Sequence, residues 1–191
     1  MPPTASDREL ALLERFVEAP KRFGAYRVAL GFPNSYEVGM SNLGFQWVYR
    51  LFNRVPDLVC ERFFHEEGQP AVTFETGTPL SDFGLLAWSL SWEMDIVNIL
   101  RALERAGIPR RRAQRDERHP IVLVGGDVAR MNPAALAPFA DVFALGDGER
   151  LVPRIAALLQ SGLSRDAFLE AAAAEPGLFV PAVQGARAEE T

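Results

Sequence analysis

Four short segments carry residue types suited to gripping a small molecule through backbone and hydroxyl groups. The first is Gly31-Phe32-Pro33-Asn34-Ser35-Tyr36-Glu37-Val38-Gly39-Met40-Ser41-Asn42-Leu43-Gly44, whose glycines and proline permit a sharp turn and close approach of backbone to a ligand. The stretch reads as one loop, a cofactor loop or the descendant of one, and holds the candidate contacts Asn34, Tyr36, Gly39 and Met40. In the second, Ser89-Leu90-Ser91, the hydroxyls of Ser89 and Ser91 suit a buried nucleotide tail and equally suit capping the helix that follows. The third is Gly125-Gly126-Asp127, where Asp127 can accept hydrogen bonds from ribose or amide groups or serve as a turn residue. The fourth, Gly146-Asp147-Gly148-Glu149, adds Gly146, Gly148 and Glu149 to the candidates. Its two carboxylates favour a helix start and would repel a phosphate.

None of these residues forms a catalytic set. The chain has no G-x-x-x-x-G-K-[ST] phosphate loop, no G-x-G-x-x-G after its first apolar run and no serine–histidine–acid arrangement in sequence context. Cys60 lies in an apolar-rich strand, where an inert buried thiol is expected rather than a nucleophile. As the one cysteine, it excludes an intrachain disulfide and a protein-only iron–sulfur cage. His65, beside Glu66 and Glu67, lacks further ligands at metal-binding spacing and reads as a solvated loop histidine. No catalytic and no metal-binding residue is therefore assigned.

The elements that must position the four segments follow from apolar patterning. Residues 7–18 read as an amphipathic helix, with Leu10, Leu13, Phe16 and Val17 on one face and Ser6 and Glu9 at capping-box spacing. Tyr26–Leu30, Leu58–Phe64, the run Phe83–Ser91, Pro120–Val124 and Val142–Leu145 read as strands, with short pieces at Ala71–Glu75 and Leu178–Val180. Helices are expected over Phe45–Phe52, Met94–Leu103, Pro133–Phe139, Leu151–Leu159 and Ser164–Ala174. This alternation predicts an α/β fold with a doubly wound, mostly parallel sheet of the flavodoxin or Rossmann kind. The expected organisation is an N-terminal helix and linker over 1–21, one α/β domain over 22–181 and a frayed tail over 182–191. Parallel strands would bring the four segments to the carboxyl edge of the sheet, where open α/β sheets bind ligands.

Composition narrows the partners. With 48% hydrophobic residues in 191, the chain can bury one good core. A net charge of −5 gives no support to global nucleic-acid binding. Arg110, Arg111, Arg112, Arg115 and Arg118 form a local basic run, which reads as a solvated connector; an RNA patch is the weaker reading, because no aromatic residues interleave for stacking. No apolar run is long enough for a membrane span, and the lone cysteine fits a reducing compartment, so a soluble, cytoplasmic protein is expected.

The ordered set F-P-x-x-Y-E-V-G-M-S-x-L-G from Phe32, V-G-G at Val124 and D-x-F-x-x-G-D-G-E from Asp141 resembles the N-terminal cobalamin-binding-like domain of a bacterial radical S-adenosylmethionine (SAM) protein family. Asn34 to Gly39 looks like a degenerate form of the cobalamin fingerprint D-x-H-x-x-G, Ser89-Leu90-Ser91 resembles the S-x-L element, and Gly125-Gly126 the terminal G-G. The resemblance covers about residues 22–181. It implies an accessory domain that gives a cofactor-like pocket or a docking surface to a catalytic barrel, in cis or in trans. The four-iron cluster and SAM would belong to that barrel, since the motif C-x-x-x-C-x-x-C is absent here. Tyr36 stands at the position of the cobalt-ligating histidine and Asn34 at that of its supporting aspartate. A phenol is a poor substitute for imidazole toward cobalt, so the resemblance implies cobalamin without histidine ligation or no cobalamin. Tyr36 is then either a ligand-facing phenol or an aromatic anchor for its own segment. Two other readings stay beside this one: a stand-alone flavin- or nucleotide-binding module, and a protein- or RNA-interaction domain.

Overall fold

The computed structural model describes residues 9, 12–16, 18–65 and 67–185. Its centre is a six-stranded sheet in the order β2-β1-β3-β4-β5-β6, formed by β1 (Tyr26–Phe32), β2 (Leu58–Phe64), β3 (Leu85–Ser89), β4 (Ile121–Gly125), β5 (Val142–Ala144) and β6 (Leu178–Phe179). The first five pair in parallel and β6 runs antiparallel to β5. This is the doubly wound order, reversing between β1 and β3, and that reversal is where such sheets open a crevice.

The strands are apolar on both faces because both faces are covered. Val28, Leu30 and Phe32 of β1 face the same core as Leu85 and Ala87 of β3. Ala29, Leu86 and Trp88 face the other. On the first face lie α2 (Leu43–Arg54), α5 (Gly148–Gln160) and α6 (Arg165–Ala174), inserting Phe45, Tyr49, Phe52, Leu151, Ile155 and Phe168. On the second lie α3 (Ile96–Arg105) and α4 (Asp127–Met131), inserting Ile99, Leu103, Val128 and Ala129. α2 begins at Asn42, whose side chain accepts from Phe45 N at 2.9 Å. Ser164 caps α6 in the same way through Ala167 N.

Several boundaries differ from the sequence reading. Gly31 to Gly44 is not one loop: Gly31 and Phe32 finish β1, and Tyr36–Ser41 forms a short helix, α1, closed by Gly39 N donating to Ser35 O. Ala71–Glu75 forms no strand; only Val72 bridges Pro79, because Thr73 and Glu75 are drawn into side-chain bonds to the edge strand β2. The helix expected over Pro133–Phe139 is a three-residue 3-10 turn, Pro133–Ala135, and the helix proper comes earlier as α4. Of residues 7–18, Glu9, Leu12 and Leu13 are helical but Glu14, Arg15 and Phe16 are not; Ser6, Leu10 and Val17 lie outside the described residues. Leu13 and Phe16, expected on a buried face, are exposed. Charge holds this segment instead, through Glu14 and Glu18. Of the tail, Pro181–Gly185 forms a π-helical turn and the remainder lies outside the described residues.

Candidate functional site

Five of the sequence-chosen residues meet. Ser89, Gly125, Gly126, Gly146 and Gly148 line one cavity at the carboxyl edge of the sheet, closed by Val48 and Phe52 of α2 and Leu151 and Ile155 of α5. The cavity is about 80 Å³ and no charged side chain lines it. Pockets that hold cofactors run from roughly 300 Å³ upward, several times this volume. Gly126 serves packing between segments. Gly126 has φ +103°, and a Cβ on it would lie 2.4 Å from Leu90 O. That approach lets Leu90 N donate to Gly125 O at 2.8 Å and stitches the segments after β3 and β4 together.

The remaining candidates point elsewhere. Tyr36 is buried, its ring stacked on Phe74 at 5.0 Å and edge-on to Phe64 at 5.1 Å, with its hydroxyl donating to Glu14 Oε1. It therefore anchors the segment and does not line the cavity. Gly39 fits under Phe64, whose ring carbon would be 2.6 Å from a Cβ there. Met40 Sδ lies 3.1 Å from Arg62 Nη1. Asn34 Nδ2 donates to Asp95 Oδ1 at 3.3 Å, which ties the end of β1 to the start of α3. Burial holds the Asp95 carboxyl above the ordinary aspartate range, opposed by the hydrogen bonds from Asn34 and Asn98. Ser91 accepts from Asn42 Nδ2 at 3.2 Å, and neither Ser89 nor Ser91 caps the following helix. Asp127 is exposed, and Glu149 accepts from Trp47 Nε1.

A denser polar site was missed. Arg62 is nearly fully buried in β2 and is gripped from two sides. Its Nε and backbone N donate to Glu75 at 2.7 and 2.6 Å, and its Nη1 and Nη2 donate to the two oxygens of Glu14 at 2.6 and 2.9 Å. Tyr49 OH donates to Glu75 at 3.0 Å. Burial works against the Arg62 charge, yet the Glu14 hydrogen bonds and the Glu75 charge hold its pKa above the ordinary arginine value. Burial, with the Glu75 charge beside it, pushes the Tyr49 phenol up as well. One signal in the sequence marked this site: the adjacent charges Glu61 and Arg62 inside the otherwise apolar run Leu58–Phe64.

The other singled-out residues resolve simply. Cys60 is buried, and desolvation raises its pKa well above the ordinary thiol value, so it is an inert core group. His65 is not solvated: it is buried, its backbone N donates to Phe32 O and Asn34 O, and Arg105 Nη2 lies 2.9 Å from Nδ1. It closes the end of β2 over the segment after β1. The basic run is only partly a solvated connector. Arg115 has no exposed side-chain surface and pairs with Asp141 at 2.8 Å, while Arg112 Nε donates to Ala137 O. Among the described residues no group of three or more His, Cys, Asp or Glu is placed to hold a metal, and no helix is long and apolar enough to cross a membrane.

Outside the small cavity, the segments at the carboxyl edge expose apolar and charged groups, Arg130 and Arg150 among them. Trp92, Met94 and Met131, on the segments after β3 and β4, are 58, 64 and 70% exposed, and Val38 is exposed after β1. Glu37, Glu93, Asp127, Asp147 and Glu149 are exposed on the same set of segments.

No curated protein and no solved structure matches the chain. A family model described as radical SAM proteins, N-terminal, matches residues 44–181. The match begins after Asn34, Tyr36 and Gly39 and takes in every strand except β1, so it rests on the sheet and its helices rather than on the fingerprint-like segment. By that match, which spans well over half its residues, the chain belongs to the family of N-terminal domains of radical SAM proteins.

Proposed function

We propose that this domain serves a radical SAM catalytic domain as a docking partner, through the exposed carboxyl edge of its sheet, rather than as a carrier of cobalamin. The observation that carries this reading is the exposure of Trp92, Met94 and Met131 on the segments that follow β3 and β4. Tryptophan and methionine are enriched in interface cores, and a large apolar group left in water gains most by burial against a partner. The exposed carboxylates Glu37, Glu93, Asp127, Asp147 and Glu149, with Arg130 and Arg150 beside them in sequence, supply charged groups for a polar rim. Two observations support the absence of cobalamin from this reading: the small volume of the cavity, and the packing of Tyr36, at the position of the cobalt ligand in the resembled motif, against Phe64 and Phe74. On this reading the iron–sulfur cluster and SAM belong to the catalytic domain, since the one cysteine here is buried.

The test joins the chain to the radical SAM catalytic domain of the same organism, or supplies the two separately, and measures their association by calorimetry. Trp92→Ala is expected to weaken association by about 2 kcal/mol, roughly thirtyfold, while leaving the unfolding midpoint of the isolated domain unchanged. Met131→Glu is expected to weaken it further by placing a charge in the apolar patch. Wild-type affinity in both variants would overturn the docking surface. A stoichiometric change in the visible spectrum of added cobalamin would overturn the exclusion of the cofactor.

A further inference from the structure

Independently of that reading, a second cavity lies on the other side of α2. It has a volume of about 400 Å³ and opens between α2 and the residues Arg15, Phe16, Glu18, Ala19 and Pro20, with Trp47, Tyr49, Leu43 and Arg62 in its lining. Its size and mostly apolar lining are those of a small-molecule pocket, which typically pairs apolar walls with a few fixed polar groups. Arg62 is such a group. It is buried, oriented by Glu75, and has Tyr49 and Phe74 at 5.0 and 5.1 Å from its guanidinium carbon. What occupies its outward fork is the carboxylate of Glu14, which no helix or strand holds in place.

We propose that Arg62 and this cavity form a binding site for an apolar organic acid, whose carboxylate takes the place of Glu14 and whose body fills the cavity. The exchange is balanced in charge and in hydrogen bonds. Glu75 stays on Arg62 throughout, so one carboxylate leaves and one arrives, and no buried charge is left uncompensated at the end. The two guanidinium N–H groups that hold Glu14 are the planar fork that matches a carboxylate in two places, and Tyr36 OH adds a third donor. Glu75 also sets the class of ligand: a doubly charged phosphate would meet that carboxylate across the guanidinium, whereas a monoanion would repeat the charge of Glu14. The segment need not detach when Glu14 swings out. Glu18 remains bonded to Arg50 and Arg54, and Lys21 to Val55 O.

The test uses the full chain carrying Trp92→Phe, so that Trp47 in the cavity wall dominates the change in fluorescence, with sodium phenylacetate as probe and phenylacetamide as its uncharged counterpart. Removing the tethered competitor with Glu14→Ala is expected to tighten phenylacetate binding about ten- to a hundredfold, the worth of a charge-assisted hydrogen-bond pair. Phenylacetamide is expected not to bind. Arg62→Lys in the Glu14→Ala background keeps the charge, loses the fork, and is expected to return affinity at least about tenfold toward the wild-type value. Equal binding by wild type and the Glu14→Ala variant, equal binding of acid and amide, or no response from the Glu14→Ala variant at millimolar phenylacetate would each overturn the proposal.

Discussion

Gly31 and Trp88 are register partners on neighbouring parallel strands, and a Cβ on Gly31 would lie 2.5 Å from the indole Cε3. Trp88 cannot retreat: it is 1% exposed and edge-on to Phe63 at 5.4 Å. The glycine is therefore the space that the indole occupies, not a place where a ligand approaches the backbone. Gly31→Ala is expected to destabilise the domain by about 2 to 3 kcal/mol through overpacking, read as a lower midpoint in urea with an unchanged slope. Gly84→Ala, at a glycine with nothing within 4 Å of its missing Cβ, is the control and is expected to shift stability by no more than roughly 0.5 kcal/mol.

Asp141 holds the amino end of the sheet together. One of its oxygens accepts from Arg115 Nη1 and from Val122 N, each at 2.8 Å, and the other lies 2.6 Å from Arg165 Nη2 as an ion contact. All three side chains are buried, so the lone carboxylate neutralises part of a charge that water cannot reach. Asp141→Asn keeps the shape and removes the charge. It is expected to cost about 3 to 5 kcal/mol in denaturant unfolding, because two buried guanidiniums lose their counter-ion. Arg118→Ala, whose partner Asp116 is also at the surface, is expected to cost less than about 1 kcal/mol. A small effect of the Asp141 substitution would mean that water reaches the cluster.

These two sites show why the strands were legible in the sequence and the candidate site was not. Leu58–Phe64 and the neighbouring apolar runs announce strands because both faces of a parallel sheet are covered, so burial itself writes the pattern. Their carboxyl ends do converge, and Ser89, Gly125 and Gly146 do share a cavity. A glycine, however, reports only that a side chain is not tolerated. Gly31, Gly39 and Gly126 are closed by Trp88, Phe64 and Leu90, and nothing local distinguishes that from a space left for a ligand. Tyr36 was legible as either a ligand or an anchor, and the packing of its ring on Phe74, distant in sequence, could not be read from its own segment. Arg62 meets Glu14 across 48 positions of sequence, and periodicity encodes a face but not a partner. The charges at Glu61 and Arg62 were a usable warning, since a charge inside an apolar strand must be paired somewhere.

His65 gives a pH dependence whose sign is fixed by its partner. Arg105 can only donate, so the neutral ring must accept at Nδ1 and carry its proton at Nε2. Protonation would desolvate a cation and place it beside Arg105 and Arg101, with Glu67 in opposition. Burial and these two charges lower the His65 pKa from 6.5 to about 4. An unfolded chain binds this proton below the ordinary histidine value while the folded one does not, so the unfolded state holds more protons across the window from 6.5 to about 4. Stability from this group is therefore complete above that window and is lost as the pH falls through it. Between pH 7 and 5 the loss is expected to be on the order of 1 to 2 kcal/mol, after a discount for solvent screening. His65→Gln preserves an acceptor for Arg105 and removes the titration. Urea unfolding of both proteins at pH 7 and pH 5 isolates the contribution, because carboxylates such as Asp95 and Glu75 titrate alike in each. The wild type is expected to lose more stability than the variant by that amount, and parallel losses would show that His65 takes up its proton in the folded protein as readily as in the unfolded chain.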